Sequence, residues 1–280
     1  MTTTIAISGK GGSGKTTLAA MIIRCLLEQL DRKVVLAVDA DPNSCLGVML
    51  GVQPAGTVAD IREDARAKPP SNAGIDKVRS IEYSIQQAIT EAEGFDLLTM
   101  GRPEGPSCYC AVNNMLRKFL DELSSQYQFV IIDNEAGMEH LSRRTTNDVD
   151  LLCIVAEQTS LGALTARRIF DLAKQLPIVV KQIGVIWNKS RAPFPVPRVP
   201  NDEPPIATVG GEQRATSPRL QLSGASDELD GIDIFGYIPY DKAVFDASMQ
   251  GKTVFDLKEN RPAFLAASKI LEQKLIVNPL

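Results

Sequence analysis

A glycine- and lysine-rich segment near the start of the chain has the residue types and the spacing of a phosphate-binding loop. The segment SGKGGSGKTT contains the complete pattern Gly9-x-x-x-x-Gly14-Lys15-Thr16. Its glycines let the backbone turn so that successive N–H groups point at phosphate oxygens. Lys15 would reach the β- and γ-phosphates, and the Thr16 hydroxyl would bind Mg²⁺. The predicted nucleotide-binding residues are Gly9, Lys10, Gly11, Gly12, Ser13, Gly14, Lys15, Thr16 and Thr17.

The segments on either side of this loop have the periodicities of a strand and a helix. Residues 4–7 form an apolar, β-branched run before the loop. Apolar residues recur at helical spacing after it, at Leu18, Met21, Ile22, Cys25 and Leu26. A loop that opens a helix adds the positive end of the helix dipole to the phosphate site. The context therefore agrees with the loop pattern.

Further apolar runs predict the rest of a mostly parallel sheet. They lie at residues 33–38, 95–101, 127–133, 150–155, 182–187 and 233–241, and helical patterns lie at 81–92, 160–175 and 262–277. The run at 127–133 ends in Asp133, as expected for a carboxylate that holds Mg²⁺ through water. The sequence predicts an α/β P-loop NTPase fold, with a mostly parallel seven- or eight-stranded sheet and helices on both faces.

Length, charge and cysteine usage limit the class of protein. The 280 residues are predicted to form one domain, 1–280, with a proline-rich insertion at 191–228. A net charge of −4 gives no basis for nonspecific nucleic-acid binding, and no apolar run is long enough to span a membrane. The first strand begins too early to leave room for a signal peptide, and Cys25, Cys45 and Cys153 lie in apolar segments, so a cytoplasmic protein is expected.

Two cysteines, Cys108 and Cys110, precede a helical pattern over residues 111–123. A helix N-terminus favours the thiolate, which is the form that binds soft metals. One pair supplies two ligands, so a four-sulfur site would need a second pair from a two-fold partner. The chain has one histidine, so a transition-metal site must rest on sulfur or carboxylate. A buried structural pair and an intrasubunit redox couple are the alternatives.

The second lysine of the loop, Lys10, makes the segment resemble the deviant Walker A pattern GKGG-x-GK-T of dimeric ATPases. This group includes division-site and plasmid-partition ATPases, the nitrogenase iron protein and metal-insertion ATPases. The resemblance implies a homodimer in which Lys10 acts on the partner's nucleotide. It implies that Asp41 orients the attacking water and that Asp39 lies near the Mg²⁺ shell. The alternative for Asp41 is a helix N-cap.

The same resemblance assigns the base site. Asn188, after the strand predicted at 182–187, would read the adenine edge through its amide, which donates and accepts at once. The turn that contains Pro239 would lie against the base. The alternative for Asn188 is a turn residue after a strand.

The segments GRPEGPSCYC and IIDNEAGMEHLSRRT narrow the resemblance to the carbon monoxide dehydrogenase maturation ATPases of the CooC type. The resemblance covers nearly all of the chain except the insertion at 191–228. It implies that Cys108 and Cys110 of two subunits bind Ni²⁺ or Zn²⁺ at the dimer interface. It also implies that ATP hydrolysis assists nickel insertion into carbon monoxide dehydrogenase, or into the related acetyl-CoA synthase.

Two other functions remain open at this point. An iron-protein-like reductase would hold an intersubunit [4Fe–4S] cluster, but the segment after Asp133 has Ala136, Gly137 and Met138 where that family has a cluster cysteine. A partition or positioning ATPase would need a basic surface or a membrane-binding tail, and the sequence shows neither.

Overall fold

The structure, a computed structural model, describes residues 2–30, 35–67, 74–102, 118–136, 148–176, 178–191 and 229–275. Cys108, Cys110 and almost all of the predicted insertion at 191–228 lie outside these ranges. None of the helices in the described part of the chain combines the length and the apolar character that a bilayer span requires.

The described residues form one eight-stranded sheet. Its strands are β1 (Thr3–Gly9), β2 (Val35–Ala40), β3 (Thr90–Glu91), β4 (Phe95–Thr99), β5 (Phe129–Asn134), β6 (Asp148–Glu157), β7 (Val179–Ser190) and β8 (Asp233–Pro239). The strand order is β3-β4-β2-β5-β1-β6-β7-β8. Only the short edge strand β3 pairs antiparallel, with β4; the other pairings are parallel. The predicted α/β fold is confirmed, with the larger of the two strand numbers.

Among the described residues, helices occupy the predicted helical patterns, and three further helices and a 3₁₀ turn have no predicted counterpart. They are α1 (Lys15–Gln29), α2 (Leu46–Leu50), α3 (Val58–Ala67), α4 (Gly74–Ala88), α5 (Ser160–Gln175), α6 (Lys242–Met249) and α7 (Pro262–Leu275), with a 3₁₀ turn at Val254–Asp256. Residues 118–124 are also helical. The helix predicted at 160–175 is confirmed. The helix predicted at 81–92 ends at Ala88 because the next residues pair with β4 as β3.

Alternate residues of the central strand face two separate cores. Ile5 and Ile7 of β1 belong to the cluster formed with α1 and α7, whereas Ala6 belongs to the cluster formed with α4 and α5. Successive side chains of a strand point to opposite faces, and a parallel sheet is buried on both. The continuous apolar run at residues 4–7 follows from this burial.

The strand order brings the predicted chemistry to one edge of the sheet. Strand β1 lies between β5 and β6, so the glycine-rich loop starts beside the ends of both. In the register of β5, Asp133 lies opposite Ile7 on one side and Asp39 on the other. Ligands bind at the carboxyl ends of strands at such a point, where the chain order reverses.

A buried arginine joins α1 to the C-terminal part of the chain. Arg24 is 5% exposed, and its Nη1 donates to the carbonyl oxygens of Val254 and Leu257 at 2.7 Å each. Its Nε pairs with Glu28 at 2.7 Å, and its guanidinium lies 4.5 Å from the ring centre of Phe264. This one side chain therefore links the helix that follows the glycine-rich loop to both the 3₁₀ turn and α7.

We expect Arg24→Met to lower the free energy of unfolding by about 3 kcal/mol, because two buried carbonyl groups lose their charged donor. Urea unfolding monitored by circular dichroism measures this loss.

Arg167→Met is the matched control for this prediction. Arg167 also pairs with an acid four residues on, Asp171, and also lies over a phenylalanine ring, Phe170, but its side chain is 38% exposed. Exposed pairs contribute about 1 kcal/mol or less. Equal losses in the two variants would show that Arg24 does not tie these segments together.

Candidate functional site

The glycine-rich loop leaves β1 where there is no room for a side chain. A Cβ placed on Gly9 would lie 2.2 Å from the carbonyl oxygen of Val155 on β6. A Cβ on Gly14 would lie 2.3 Å from Nδ2 of Asn188, and the φ of Gly14, +95°, is in the left-handed region. Both positions therefore require glycine, for space at the first and for space and backbone conformation at the second.

The loop ends at a helix start that is suited to phosphate. Gly14 is the N-cap of α1 and provides no side-chain acceptor, so this cap leaves first-turn N–H groups for a ligand. Lys15 is 6% exposed, and its Nζ lies 3.5 Å from the Lys10 carbonyl oxygen. Thr16 and Thr17 line the adjoining cleft. A cation and free amides at one helix N-terminus form an anion site.

Two buried carboxylates lie beside the loop. Asp39 accepts hydrogen bonds from the backbone N–H groups of Leu46, at 2.9 Å, and Asp41, at 3.3 Å. Burial raises the pKa of Asp39 to about 6. Burial, with the added charge of Asp39, raises the pKa of Asp133 to about 7, and Thr16 and Lys15 offset part of this rise.

Asp133 has the features of a cation ligand. It is fully buried, and by geometry neither of its carboxylate oxygens accepts a hydrogen bond from the described residues. Such an orphaned carboxylate is costly to bury unless a positive charge occupies the site. Asp133, Asp39 and the Thr16 hydroxyl are oxygen donors of the kind that Mg²⁺ prefers. In the described ranges no three histidine, cysteine or acidic side chains form a metal cluster.

Asp41 lies in a turn at the mouth of the cleft. Its Oδ1 accepts from the backbone N–H and the side-chain amide of Asn43, at 2.9 and 2.8 Å. The N-cap of the next helix, α2, is Cys45, so the alternative of Asp41 as a helix N-cap is wrong. The bonds to Asn43 fix the carboxylate at one oxygen, and Oδ2 is the oxygen that would accept a bond from water.

A cleft of about 440 Å³ extends from the loop to the turn after β8. Its lining includes Asp41, Asn188, Pro239, Tyr240 and Phe245. Its size suits a nucleotide, since ligand pockets range over about 300–1,000 Å³. The predicted base residues Asn188 and Pro239 therefore share one cleft with the loop, and two half-exposed aromatic rings accompany them.

The Asn188 amide is bound to the loop. Its Nδ2 donates to the Ser13 carbonyl at 2.8 Å, and its Oδ1 accepts from the N–H of Lys189 at 2.9 Å. An amide has two donor hydrogens and two acceptor lone pairs, so one of each remains for a base edge. Contact with adenine stays a prediction.

The exposed lysine of the loop faces a second, smaller cavity. Lys10 lines a space of about 250 Å³ between the loop and α5, together with Glu157, Thr159 and Leu161. Lys10 is thus on the loop surface, while Lys15 is buried beneath it. The contact of Lys10 with a partner's nucleotide stays a prediction.

Cys108 and Cys110, the predicted ligands of a transition metal, lie outside the described residues, so their metal site stays a prediction. Three free cysteines are described. Burial raises the pKa of both Cys25 and Cys153 to about 12. Burial, followed by the nearby acidic side chains, also raises the pKa of the exposed Cys45. None of the three favours the thiolate form that binds soft metals.

Sequence reasoning missed several residues that position the site. Lys189 and Glu157 form an ion pair beside the loop at 2.8 Å. Asp241, in the turn after β8, caps α6 by accepting a hydrogen bond from the N–H of Ala243, and it also forms an ion pair with Arg261. The signal for Lys189 was its place directly after Asn188; the other contacts join residues distant in sequence, which no local pattern indicates.

Comparison with known proteins places the chain among ATPases. A family profile described as "CobQ/CobB/MinD/ParA nucleotide binding domain" matches residues 4–196. An uncharacterised ATP-binding protein of Methanocaldococcus jannaschii is 36% identical over 96% of this chain and 97% of its own length. The carbon monoxide dehydrogenase accessory protein CooC of Rhodospirillum rubrum is 31% identical over 90% of this chain and 89% of its own.

Solved structures agree with this result at the level of the fold. A ParA family ATPase from Chlorobium tepidum has a TM-score of 0.65 and 18% identity, covering 98% of this chain and 99% of the other. The cell division ATPase MinD of Pyrococcus furiosus has a TM-score of 0.63 and 22% identity, covering 99% and 100%. The fold, the loop and the matched profile agree, and the chain belongs to the CobQ/CobB/MinD/ParA family of nucleotide-binding domains.

Proposed function

We propose that this protein is a Mg²⁺-dependent ATPase that matures a carbon monoxide dehydrogenase-type enzyme by supplying nickel. The observation that carries the proposal is the similarity of this chain to CooC, which is 31% identical over 90% of the chain. The chain also contains the cysteine pair Cys108 and Cys110. The client enzyme and the metal are part of the proposal. A carbon monoxide dehydrogenase or an acetyl-CoA synthase would be the client.

The ATPase step follows from the arrangement at the loop. The N–H groups at the start of α1 and the Lys15 ammonium would bind the β- and γ-phosphates. Thr16 and Asp133 would hold Mg²⁺, with Asp39 beside it, and the ion would neutralise charge that develops on the phosphates. Asp41 would accept a hydrogen bond from the attacking water and align it with the γ-phosphate. The products would be ADP and phosphate.

The metal step rests on the cysteine pair and on a homodimer. Two chains facing each other with ATP between them would bring Lys10 of each to the nucleotide of the other. The same two-fold symmetry would bring two Cys108–Cys110 pairs together and give a four-thiolate site for Ni²⁺ or Zn²⁺. Hydrolysis would loosen the dimer and release the cargo ion to the client.

A positioning function is the second candidate. A "Maintenance of carboxysome distribution protein A" of Synechococcus elongatus is similar to this chain, with 28% identity over 180 residues that cover 63% of the chain. A ParA family ATPase shares the fold. Binding of DNA at low salt by the ATP-bound protein would favour this candidate over metal delivery, since such binding depends on salt-sensitive charge contacts. An iron–sulfur reductase would instead absorb light at about 400 nm, where the thiolate-to-iron charge-transfer bands of such clusters lie.

The cysteine pair supplies the first test. We expect about one Ni²⁺ or Zn²⁺ per dimer in the ATP-analogue state and none in the double variant Cys108→Ser/Cys110→Ser, because two ligand pairs make one tetrahedral site. Elemental analysis with light scattering, in the apo, ADP and ATP-analogue states, measures metal and mass together.

Cys45→Ser is the matched control for the metal measurement. Cys45 is exposed but is not part of the cysteine pair, so its loss should leave the metal content unchanged. Metal that persists in the double variant, or an affinity for metal that is the same with and without ATP, would refute nickel delivery coupled to ATP and leave an ordinary ATPase of this family.

Asp133 supplies a test of the Mg²⁺ site through pH. The pKa of Asp133 in the folded protein, about 7, lies above the ordinary value of 3.8. Between these two pH values the folded protein keeps the proton on this carboxyl group, whereas the unfolded chain has released it. The stability of the nucleotide-free protein therefore falls as pH rises from about 4 to about 7. Asp133→Asn removes this loss, and we expect the nucleotide-free variant to melt at least about 2 °C above the wild type at pH 8, with a smaller difference at pH 5.

The same variant should lose the stabilisation that Mg²⁺ and ATP give the wild type, because it lacks the carboxylate that would hold the ion. Thermal unfolding with and without Mg·ATP measures both effects. Asp171→Asn, an exposed position on α5, should neither raise the melting temperature at pH 8 nor weaken the Mg·ATP effect. An Asp133→Asn variant that keeps its full Mg·ATP stabilisation would remove Asp133 from the metal site.

A further inference from the structure

The end of β7 reaches the glycine-rich loop with two successive side chains. Asn188 Nδ2 donates to the Ser13 carbonyl at 2.8 Å, and Lys189 Nζ donates to the Gly12 carbonyl at 2.7 Å. Two neighbouring peptide groups of the loop are thus each bound, from outside the loop, by neighbouring residues of one strand.

A local break in β7 makes this double contact possible. In a regular strand, successive side chains point to opposite faces, so they could not bind the same loop. Lys189 has a φ of +53°, in the left-handed region that side chains other than glycine rarely adopt. The register between β7 and β8 also shifts between Trp187 and Ser190, which is the pattern of a bulge. Bulges next to active sites re-aim side chains, and unfavourable backbone conformations persist where the surrounding contacts impose them.

The two contacts set the direction of the loop amides. In a trans peptide the C=O and the following N–H point in opposite directions. Because the Gly12 oxygen is held outward by Lys189, the N–H of Ser13 points into the loop, where it donates to the Lys10 carbonyl at 3.1 Å. Because the Ser13 oxygen is held by Asn188, the N–H of Gly14 also points away from β7. The Ser13 N–H therefore closes the turn from Lys10 to Ser13, and the two contacts from β7 hold this turn in one shape before a ligand binds.

Glu157 fixes the lysine. Its Oε1 accepts from Lys189 Nζ at 2.8 Å, so the ammonium is shared between the carboxylate and the Gly12 carbonyl. The backbone at Glu157 is constrained in turn, because its carbonyl accepts from Thr159 N–H at 2.7 Å and a Cβ on Gly162 would lie 2.0 Å from that oxygen. The start of α5 therefore holds Glu157 in place.

We propose that Lys189, oriented by Glu157, is a positioning residue of the nucleotide site: by holding the Gly12 carbonyl, it keeps the turn from Lys10 to Ser13 in the shape that receives polyphosphate. The Lys189 ammonium acts through the Gly12 carbonyl and does not itself bind the phosphates. This role concerns the binding of any nucleotide with a β-phosphate and does not depend on metal delivery.

Lys189→Met tests the role, because methionine keeps the length and the apolar stem and removes the donor. We expect the Kd for Mg·ADP, measured by isothermal titration calorimetry, to rise about tenfold or more, as for the loss of a charge-assisted hydrogen bond. Hydrogen exchange at the loop amides of the nucleotide-free protein should become faster. Lys189→Arg, which keeps both charge and donors, should restore most of the affinity.

Lys181→Met is the matched control. Lys181 lies on the same strand and also forms an ion pair, with Asp150 at 2.6 Å, but it is not part of the cleft lining. Its loss should leave the Kd for Mg·ADP unchanged. The thermal midpoints of both methionine variants, measured beside the wild type, separate an effect on the loop from one on folding.

Glu157→Gln distinguishes positioning from direct attraction between Lys189 and phosphate. If Lys189 positions the loop, freeing it from Glu157 weakens Mg·ADP binding, by about threefold for a shared bond that is only loosened. If Lys189 attracted phosphate directly, removing a negative charge beside it would tighten binding, and the effect of Lys189→Met would shrink at high salt.

Tighter ADP binding by Glu157→Gln, or an unchanged Kd in a folded Lys189→Met variant, would overturn the positioning role while leaving the nucleotide site intact. A wild-type protein that binds no Mg·ADP would overturn the nucleotide site itself. If Lys189→Met lowers the unfolding midpoint by more than a few degrees, the sign of the Glu157→Gln effect decides.

Discussion

The close contact between the glycine-rich loop and the strands on either side of it determines the rest of the site. The loop starts against the Val155 carbonyl of β6 and ends against the Asn188 amide of β7, and at both points only glycine fits. These contacts fix where α1 begins and therefore where Lys15 and Thr16 lie. The other parts of the site are placed relative to this fixed loop.

The acidic half of the site depends on the same strand order. Because β5 lies between β1 and β2, Asp133 and Asp39 are brought to opposite positions of one pairing, both fully buried. Burial raises the pKa of both carboxyl groups, and the charge of Asp39 adds to the rise at Asp133. Such an arrangement lowers stability without a ligand. A cation bound between them would offset the charge, and part of its binding energy would compensate for the burial.

The sequence was sufficient for those parts of the structure that depend on local pattern. The sequence of residues 4–17 predicts a strand, a loop and a helix, because a phosphate-binding loop needs glycines at fixed spacing. The helix predicted at residues 160–175 is confirmed as α5, because its apolar stripe is long enough to show the helical period. Asp133 could be predicted because an apolar run led directly to it. The strand predicted to end at residue 38 extends to Ala40, so Asp39 is a strand residue with a buried side chain.

The structural features that the sequence did not predict have one physical cause: they depend on contacts between residues that are distant in sequence. Strand β3 has two residues, too few for a period, and exists through its pairing with β4. Lys189 was not recognised because its conformation departs from the strand that precedes it.

These long-range contacts form a rigid frame around the nucleotide cleft. On one side Arg24 ties α1 to the 3₁₀ turn and α7, and on the other Glu157 and Lys189 tie the loop to β6 and β7. The loop is thus held at both its outgoing helix and its outward carbonyl groups, so a bound nucleotide has little freedom to move it. The exposed side chain of Lys10 and the turn of Asp41 are not among the groups that these contacts hold, so a shift on nucleotide binding is expected there before it is expected in the frame. The roles proposed for Lys10 and Asp41 would use that freedom.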